Sequence, residues 1–293
     1  MACDVKRMPT VDGKTGVVGI IGNPIRHSLS PLMQNAAFVA GQLDYVYVPF
    51  AVTPENLEQA VIGLKALGVC GFNVTIPHKT AIIPFLDRLD ESADAAGAVN
   101  TVHVCGSTLI GYNTDGAGLV DSLSTDLEFS PGAEQILIVG AGGAARGAIA
   151  ALCRFGAKKI LIFNRSIENA RAVMLDMNLR YPETKISVVL QNQLSREELG
   201  STSLLLNTTS LGMNGERLEN INLAYLPKYA KIYDMVYSNS GTPLVKEASA
   251  FGLRAVNGLG MLVAQGERAF EIWTGVKPPE GVMMRALAPL LRS

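Results

Sequence analysis

The stretch "ILIVGAGGAARGAI", residues 136 to 149, decides the fold. Four apolar residues run straight into Gly140, and a pattern of small residues that suits a helix follows at once. Gly140, Gly142 and Ala145 stand in the order G-x-G-x-x-G/A. Glycines at those points permit a tight turn and let a pyrophosphate approach the backbone at a helix N-terminus, where unpaired N–H groups favour an anion. A glycine-rich loop is a weak signal alone. Here a strand precedes it, a helix follows it, and a second β-rich run, "KILIF" at 159 to 163, comes at the distance a βαβ unit requires. Gly140, Ala141, Gly142, Gly143, Ala144 and Ala145 are therefore candidates for holding a dinucleotide.

The second run closes on "FNRS". An NAD site calls for a carboxylate there, to accept a hydrogen bond from the ribose 2′-hydroxyl. Asn164, Arg165 and Ser166 occupy that place instead. A guanidinium beside a hydroxyl suits a 2′-phosphate through bidentate, charge-assisted contacts, so NADP is expected over NAD.

Further along, "KISVVL", "SLLLNTT", "KIYDMVY" and "LRAVNG" continue the alternation of β-rich runs with helical stretches. Six such runs, counting the two above, imply parallel βαβ units and a doubly wound sheet. The first half alternates too: "GVVGIIG", "LDYVYVPFAV", a helix over residues 54 to 67, "CGFNVTIP", and a hairpin of "NTVHV" with "TLIGYN" around Cys105 and Gly106. The class is α/β with two domains, residues 1–118 and 119–261, and the helical residues 262–293 are expected to pack back on the first domain.

Composition narrows the function. In 293 residues with 48% hydrophobic, 17% charged and a net charge of −1, there is material for two ordinary cores and no basic field for nucleic acid or an anionic membrane. Cys3, Cys70, Cys105 and Cys153 lack C-x-x-C spacing, and the three histidines do not cluster with them, so no metal site is expected. The opening "MACDVKRMPTVDGKTG" carries no apolar leader and no run approaches a membrane span, which points to a cytoplasmic protein acting on a small molecule.

Three further stretches carry chemistry. In "NPIRHSLSPLMQNAAF", residues 23 to 38, Ser30 before Pro31 reads as a helix N-cap, with Gly41 as the stop. Ser28 is then left over. If residues 28 to 30 are extended, both hydroxyls point to one side of a helix mouth that favours a carboxylate. A capping serine with an incidental neighbour is the plainer alternative, and this stretch alone does not choose. "GFNVTIPHKTAIIPFLD", 71 to 87, brings Asn73, Thr75 and Lys79 to a strand exit, while "GAVNT" and "GYNTDGAG" add Asn100 and Asp115. Each alone reads as a turn or a solvated charge. Together they suit a small polyhydroxylated anion.

"NPIRHSLSP", "GFNVTIPHK", "GAVNT", "GYNTDG", "GAGGAAR", "NRS", "DMVYS" and "NGLGMLVAQG" stand here in the order they have in the shikimate dehydrogenase family, which this chain resembles along essentially its whole length. The resemblance implies an N-terminal substrate domain, a Rossmann-type NADP domain, and interconversion of 3-dehydroshikimate and shikimate in aromatic amino acid biosynthesis. It implies that Lys79 and Asp115 form the acid/base pair and that Ser28 and Ser30 bind the substrate carboxylate. It assigns Asn73, Thr75, Asn100, Tyr237 and Gln265 to the remaining substrate contacts. Met235 and Gly258 fall near the nicotinamide, and Glu91 matches a cofactor-side position. A monomer or homodimer is expected. Two other readings stay open: a quinate/shikimate dehydrogenase that uses NAD, and a ligand-sensing module that has lost its chemistry.

Overall fold

The computed structural model describes residues 11–132, 134–190, 194–238 and 241–291; Cys3 lies outside them. The chain divides into two compact units, Met1–Thr114 with Gln265–Ser293, and Asp115–Ala264.

The first unit begins β1 (Gly16–Gly22), α1 (Ser30–Ala40), β2 (Tyr45–Ala51), α2 (Leu57–Ala66) and β3 (Gly71–Val74). It continues with a two-residue edge strand β4 (Arg88–Leu89), then α3 (Glu91–Ala96), β5 (Thr101–Cys105) and β6 (Thr108–Tyr112). The sheet runs β2-β1-β3-β5-β6-β4, and β5 alone is antiparallel to its neighbours. Its reversal follows from the two-residue turn between β5 and β6, which is too short for any crossover. The buried face of α1 is Ser30, Met33, Gln34, Ala37 and Phe38, a spacing of three and four that one helical stripe requires.

The second unit holds α4 (Asp115–Leu127), β7 (Gln135–Val139), α5 (Gly143–Arg154), β8 (Lys159–Phe163), α6 (Ile167–Arg180) and β9 (Lys185–Val188). After these come α7 (Arg196–Gly200), β10 (Thr202–Asn207), β11 (Lys231–Asp234), α8 (Pro243–Ala250) and β12 (Arg254–Asn257). All six strands are parallel in the order β12-β11-β10-β7-β8-β9, a doubly wound sheet with its switch point between β7 and β10. Ile136 and Ile138 join one core while Leu137 and Val139 join the other, which is why "ILIV" is apolar throughout rather than alternating. On one face α4 is tied down by Ser122, whose hydroxyl donates to Asp126 Oδ2 at 2.6 Å and lies 2.7 Å from the Tyr233 hydroxyl.

The chain returns to the first unit along α9 (Leu259–Thr274) and ends in α10 (Val282–Leu287) with a short 3₁₀ turn. Gln34 Nε2 donates to the Gly266 carbonyl at 2.8 Å, and Phe38 stacks on Phe270 with centroids 4.9 Å apart. Trp273 then reaches the sheet, its Nε1–H donating to the Val102 carbonyl at 3.0 Å.

Three local expectations at the helix mouth are corrected. Ser30 is the first helical residue and not the cap; Leu29 takes that place with helical angles, φ −87° and ψ −10°, so residues 28 to 30 are not extended. Ser28 has work there after all, since its Oγ accepts the Ser30 N–H at 3.3 Å. It offers the acceptor two residues before the amide, which a capping serine at position 30 could not do. At the far end the helix does stop at Gly41, which caps it with right-handed angles, while the left-handed residue is Gln42, φ 52°.

Trp273→Phe keeps an aromatic ring in place and removes the donor to Val102. With a buried carbonyl left short of its partner, stability should fall by about 1–3 kcal/mol. Urea denaturation should show a lower midpoint at unchanged slope.

Candidate active site

In the first unit β1, β2, β3, β4 and β6 share one direction, so their carboxyl ends and the amino end of the reversed β5 meet at one edge. Every substrate-side candidate of this unit that precedes residue 115 stands at that edge or one turn beyond it. Ser28 and Ser30 follow β1, Thr75 and Lys79 follow β3, and Asn100 precedes β5. Crossover connections leave and enter there, so loops from several strands present their polar side chains together.

A buried chain of hydrogen bonds holds this edge. The Tyr47 hydroxyl, on β2, donates to Asn73 Oδ1 at 2.7 Å, with the Ser30 side chain beside it. Asn73 Nδ2 donates to the Asn100 carbonyl at 3.0 Å and to Thr101 Oγ1 at 2.9 Å. Thr101 Oγ1 donates to Asn100 Oδ1 at 2.9 Å, which also accepts the Thr114 N–H at 2.8 Å. Asn100 Nδ2 closes the chain on Thr114 Oγ1 at 2.9 Å. Asn73 thus spends both amide hydrogens inside the unit. Burial pushes the Tyr47 phenol well above its ordinary value, so it stays a neutral donor.

The segment that carries Lys79 is pinned on both sides. The His78 ring, buried, bonds the Val52 carbonyl through Nε2 at 2.7 Å, and the Lys79 carbonyl accepts the Val99 N–H at 2.7 Å. Lys79 and Thr75 are themselves half-buried. Gln265 sits next to Gly266, whose carbonyl anchors Gln34 one turn after Ser30. Glu91 is the exposed first residue of α3, which Asp90 caps by accepting the Ser92 N–H at 2.9 Å.

In the second unit the matching edge lies at the carboxyl ends of β7, β8, β10, β11 and β12. Asp115 opens α4, directly after Thr114 in the chain, and is half-buried. Tyr237 follows β11 and is 39% exposed, with burial of the rest of the ring raising its hydroxyl. Gly140 has φ +116°, and a Cβ there would lie 2.5 Å from Thr208 Oγ1, so only glycine fits. Gly142 is the α5 N-cap with no side chain capping the helix, and a Cβ on it would meet nothing within 4 Å. That open space beside unpaired helix N–H groups is what a pyrophosphate needs. Ala145, fully buried, sets α5 on the sheet. Gly258 meets the Met235 carbonyl, which a Cβ would approach to 2.3 Å, so these two candidates are brought together.

At the β8 exit, Asn164 Nδ2 turns inward to the Ser166 carbonyl at 2.8 Å, and the Ser166 hydroxyl caps α6 by accepting the Asn169 N–H at 3.3 Å. Asn164 and Arg165 line a cavity of about 930 Å³ with Gly140, Phe163 and residues 209–211 and 216–220 of the loop after β10. Glu216 folds that loop on itself: Oε2 accepts the Gly212 and Asn214 N–H groups at 3.1 and 3.0 Å, and Oε1 the Asn214 side chain at 3.1 Å.

Three family models match parts of the chain: "Shikimate dehydrogenase substrate binding domain" at residues 20–102, "Shikimate / quinate 5-dehydrogenase" at 125–197, and "Shikimate 5'-dehydrogenase C-terminal domain" at 258–288. A "Shikimate dehydrogenase (NADP(+))" of Geobacter metallireducens is 51% identical over 96% of this chain and 99% of its own. The chain belongs to the shikimate dehydrogenase family. Among solved structures of that family, a shikimate dehydrogenase in complex with NADP+ superposes with a TM-score of 0.88 at 38% identity, covering 97% of this chain and 98% of that one. The Thermus thermophilus enzyme in complex with NADP(H) and shikimate gives 0.82 at 29% identity, covering 94% and 99%.

Two features of these edges carry no mark in the sequence. Tyr47 looks like any aromatic of the alternating "YVYVPF", and Arg217 and Glu216 stand in a loop with no motif. The capping box of α7, Ser195 with Glu198, has a signature that sequence reading missed, S-x-x-E ahead of a helix.

Backbone donors hold the Glu216 carboxyl down to about 2. Because its folded value is depressed, the latch is complete above the ordinary carboxylate range and is lost as pH falls toward 2. Glu216→Gln should therefore speed amide hydrogen exchange at Gly212 and Asn214 at neutral pH, while β10 keeps its protection. Unchanged exchange at both amides would show the latch to be idle.

Proposed function

We propose that this chain is an NADP-dependent shikimate dehydrogenase that interconverts 3-dehydroshikimate and shikimate on the route to aromatic amino acids. The observation that carries this reading is the polar edge of the first unit, where Thr75, Lys79 and Asn100 are fixed by buried hydrogen bonds in a chain of this family. Three described thiols are free, in keeping with a reducing, cytoplasmic setting, and the helices among the described residues include none long and apolar enough to cross a membrane. The protein works as a monomer or homodimer.

Bound NADP supplies the nicotinamide that accepts a hydride when the alcohol is oxidised, and NADPH returns it on reduction. The proton is this chain's task. Lys79 Nζ gives a proton to the carbonyl oxygen in reduction and takes the hydroxyl proton in oxidation, so charge and atoms balance in each direction. Asp115 accepts a hydrogen bond from a substrate hydroxyl and fixes the ring's orientation. Ser28 and Ser30 donate to the carboxylate. The Tyr47 phenol beside Ser30 gives its own proton to Asn73 and does not need the serine as an acceptor. Thr75, Asn100, Tyr237 and Gln265 supply the remaining polar contacts. Asn73 is a positioning residue, since both its amide hydrogens are already committed.

Gly140 to Ala145 cradle the pyrophosphate, with Gly142 leaving the space for it. Met235 and Gly258 flank the nicotinamide. Arg165 reads the 2′-phosphate, and Asn164 and Ser166 shape the loop that presents it. Glu91 is assigned toward the cofactor on the family pattern alone.

The direct test follows NADPH formation from shikimate with NADP, set against quinate with NAD. Preference for the second pair would replace this reading by the broader quinate/shikimate one. Lys79→Ala should lower kcat by about 10²-fold or more with a smaller effect on KM, and near-normal turnover would refute its role. Arg165→Ala should raise KM for NADP roughly tenfold to several-hundredfold through loss of charge-assisted hydrogen bonds of about 1.5–3 kcal/mol each. KM for NAD, which lacks the phosphate, should hardly move.

A further inference from the structure

The cavity at the end of β8 contains a second guanidinium. Arg217, in the loop that follows β10, lines it together with Arg165. Neither arginine has a hydrogen bond or ion pair with any described residue, whereas Arg146 on the neighbouring α5 is paired with Asp176. An arginine left without a carboxylate beside a cavity is available to an anion that enters it.

The lining also contains Glu216 and Glu219. Glu216 stays ionised, but three hydrogen bonds from Gly212 and Asn214 hold both its oxygens toward its own loop. Two guanidiniums therefore share the lining with two ionised carboxylates, one of which, Glu216, is turned into its own loop. The Glu216 latch also fixes the root of the residue after it, so Arg217 extends from a closed turn. β8 and β10 flank β7, two strand spacings or about 10 Å apart. Side chains rising from these two exits can close on a group of phosphate size from opposite sides.

A phosphate monoester carries about −1.5 to −2 charges near neutral pH and three terminal oxygens. One bidentate guanidinium answers two of those oxygens and about half the charge. We infer that Arg217 is a second cation for the adenosine 2′-phosphate, gripping from the β10 loop what Arg165 grips from the β8 exit. The inference rests on the NADP reading above and extends it to a residue outside the "NRS" motif. It also makes the discrimination against NAD depend on the Glu216 turn.

Calorimetric titration of the full chain with 2′,5′-ADP and with 5′-ADP tests this without turnover. In Arg217→Ala the dissociation constant for 2′,5′-ADP should rise about tenfold, the lower end for a charge-assisted contact because the side chain is exposed. The constant for 5′-ADP should stay the same, and Arg217→Lys should recover part of the loss. The salt dependence of 2′,5′-ADP binding should flatten in the alanine variant. An equal loss for both probes would mean that Arg217 touches the adenine or ribose, and no loss would mean that it is solvated; either overturns the inference. Arg165→Ala separates this from the cofactor reading. If it weakens 2′,5′-ADP while Arg217→Ala does not, the NADP reading stands and the second cation falls. If the unaltered chain shows no preference for 2′,5′-ADP, both fall together.

Discussion

Parallel strands impose the constraint on which both units depend. Each parallel pair needs a crossover, and crossovers bring all the carboxyl ends of a sheet to one edge. In the second unit six strands obey this without exception, and in the first only β5 departs from it, with its amino end at the shared edge. Loops at such an edge run over the surface, where polar side chains from several connections can meet without being sealed in the core. Ser28, Thr75, Lys79 and Asn100 lie at one such edge and Gly140, Arg165, Met235 and Gly258 at the other. The clustering is a consequence of topology before it is a consequence of chemistry.

The two edges keep their order by different means. Around β7 the backbone does the work: Gly140 takes a conformation closed to other residues, and the Gly142 space is left empty by every neighbour. Around β3 the side chains do it. Tyr47, Asn73, Thr101, Asn100 and Thr114 form a line in which each buried donor has an acceptor. Such a line is costly if a member is lost, because an unpaired polar group in a dry interior keeps its full desolvation penalty. The outcome is rigidity where a small polar ring would have to be oriented.

This difference explains what could be read from the sequence. A backbone cradle demands glycine at fixed spacing between a strand and a helix, so "ILIVGAGGAARGAI" announced the doubly wound sheet, and all six of its strands are where the β-rich runs put them. A side-chain network leaves no such spacing. Tyr47 and Asn73 are 26 residues apart, and Asn73 and Thr101 are 28, so nothing local marks them as partners. Asn73 was legible as a polar residue at a strand exit, yet its committed amide was not. The serine pair failed for a related reason. Ser30 before Pro31 satisfies the usual grammar of a helix start, but the helix begins one residue earlier than that grammar assumes, and Ser28 takes the backbone bond.

The direction of the hydrogen bonds decides how this edge is closed. Tyr47 gives its only proton to Asn73, and Asn73 gives its amide hydrogens to the Asn100 carbonyl and Thr101 Oγ1, so this part of the line leaves no buried donor over. Ser30, 6% exposed, stands beside the Tyr47 phenol, which does not need it as an acceptor. Had Asn73 donated to Tyr47 instead, the buried phenol proton would have needed a new acceptor at the helix mouth, and any change there would have stranded it. As the line stands, the first turn of α1 can change its own contacts without costing the network behind it a bond.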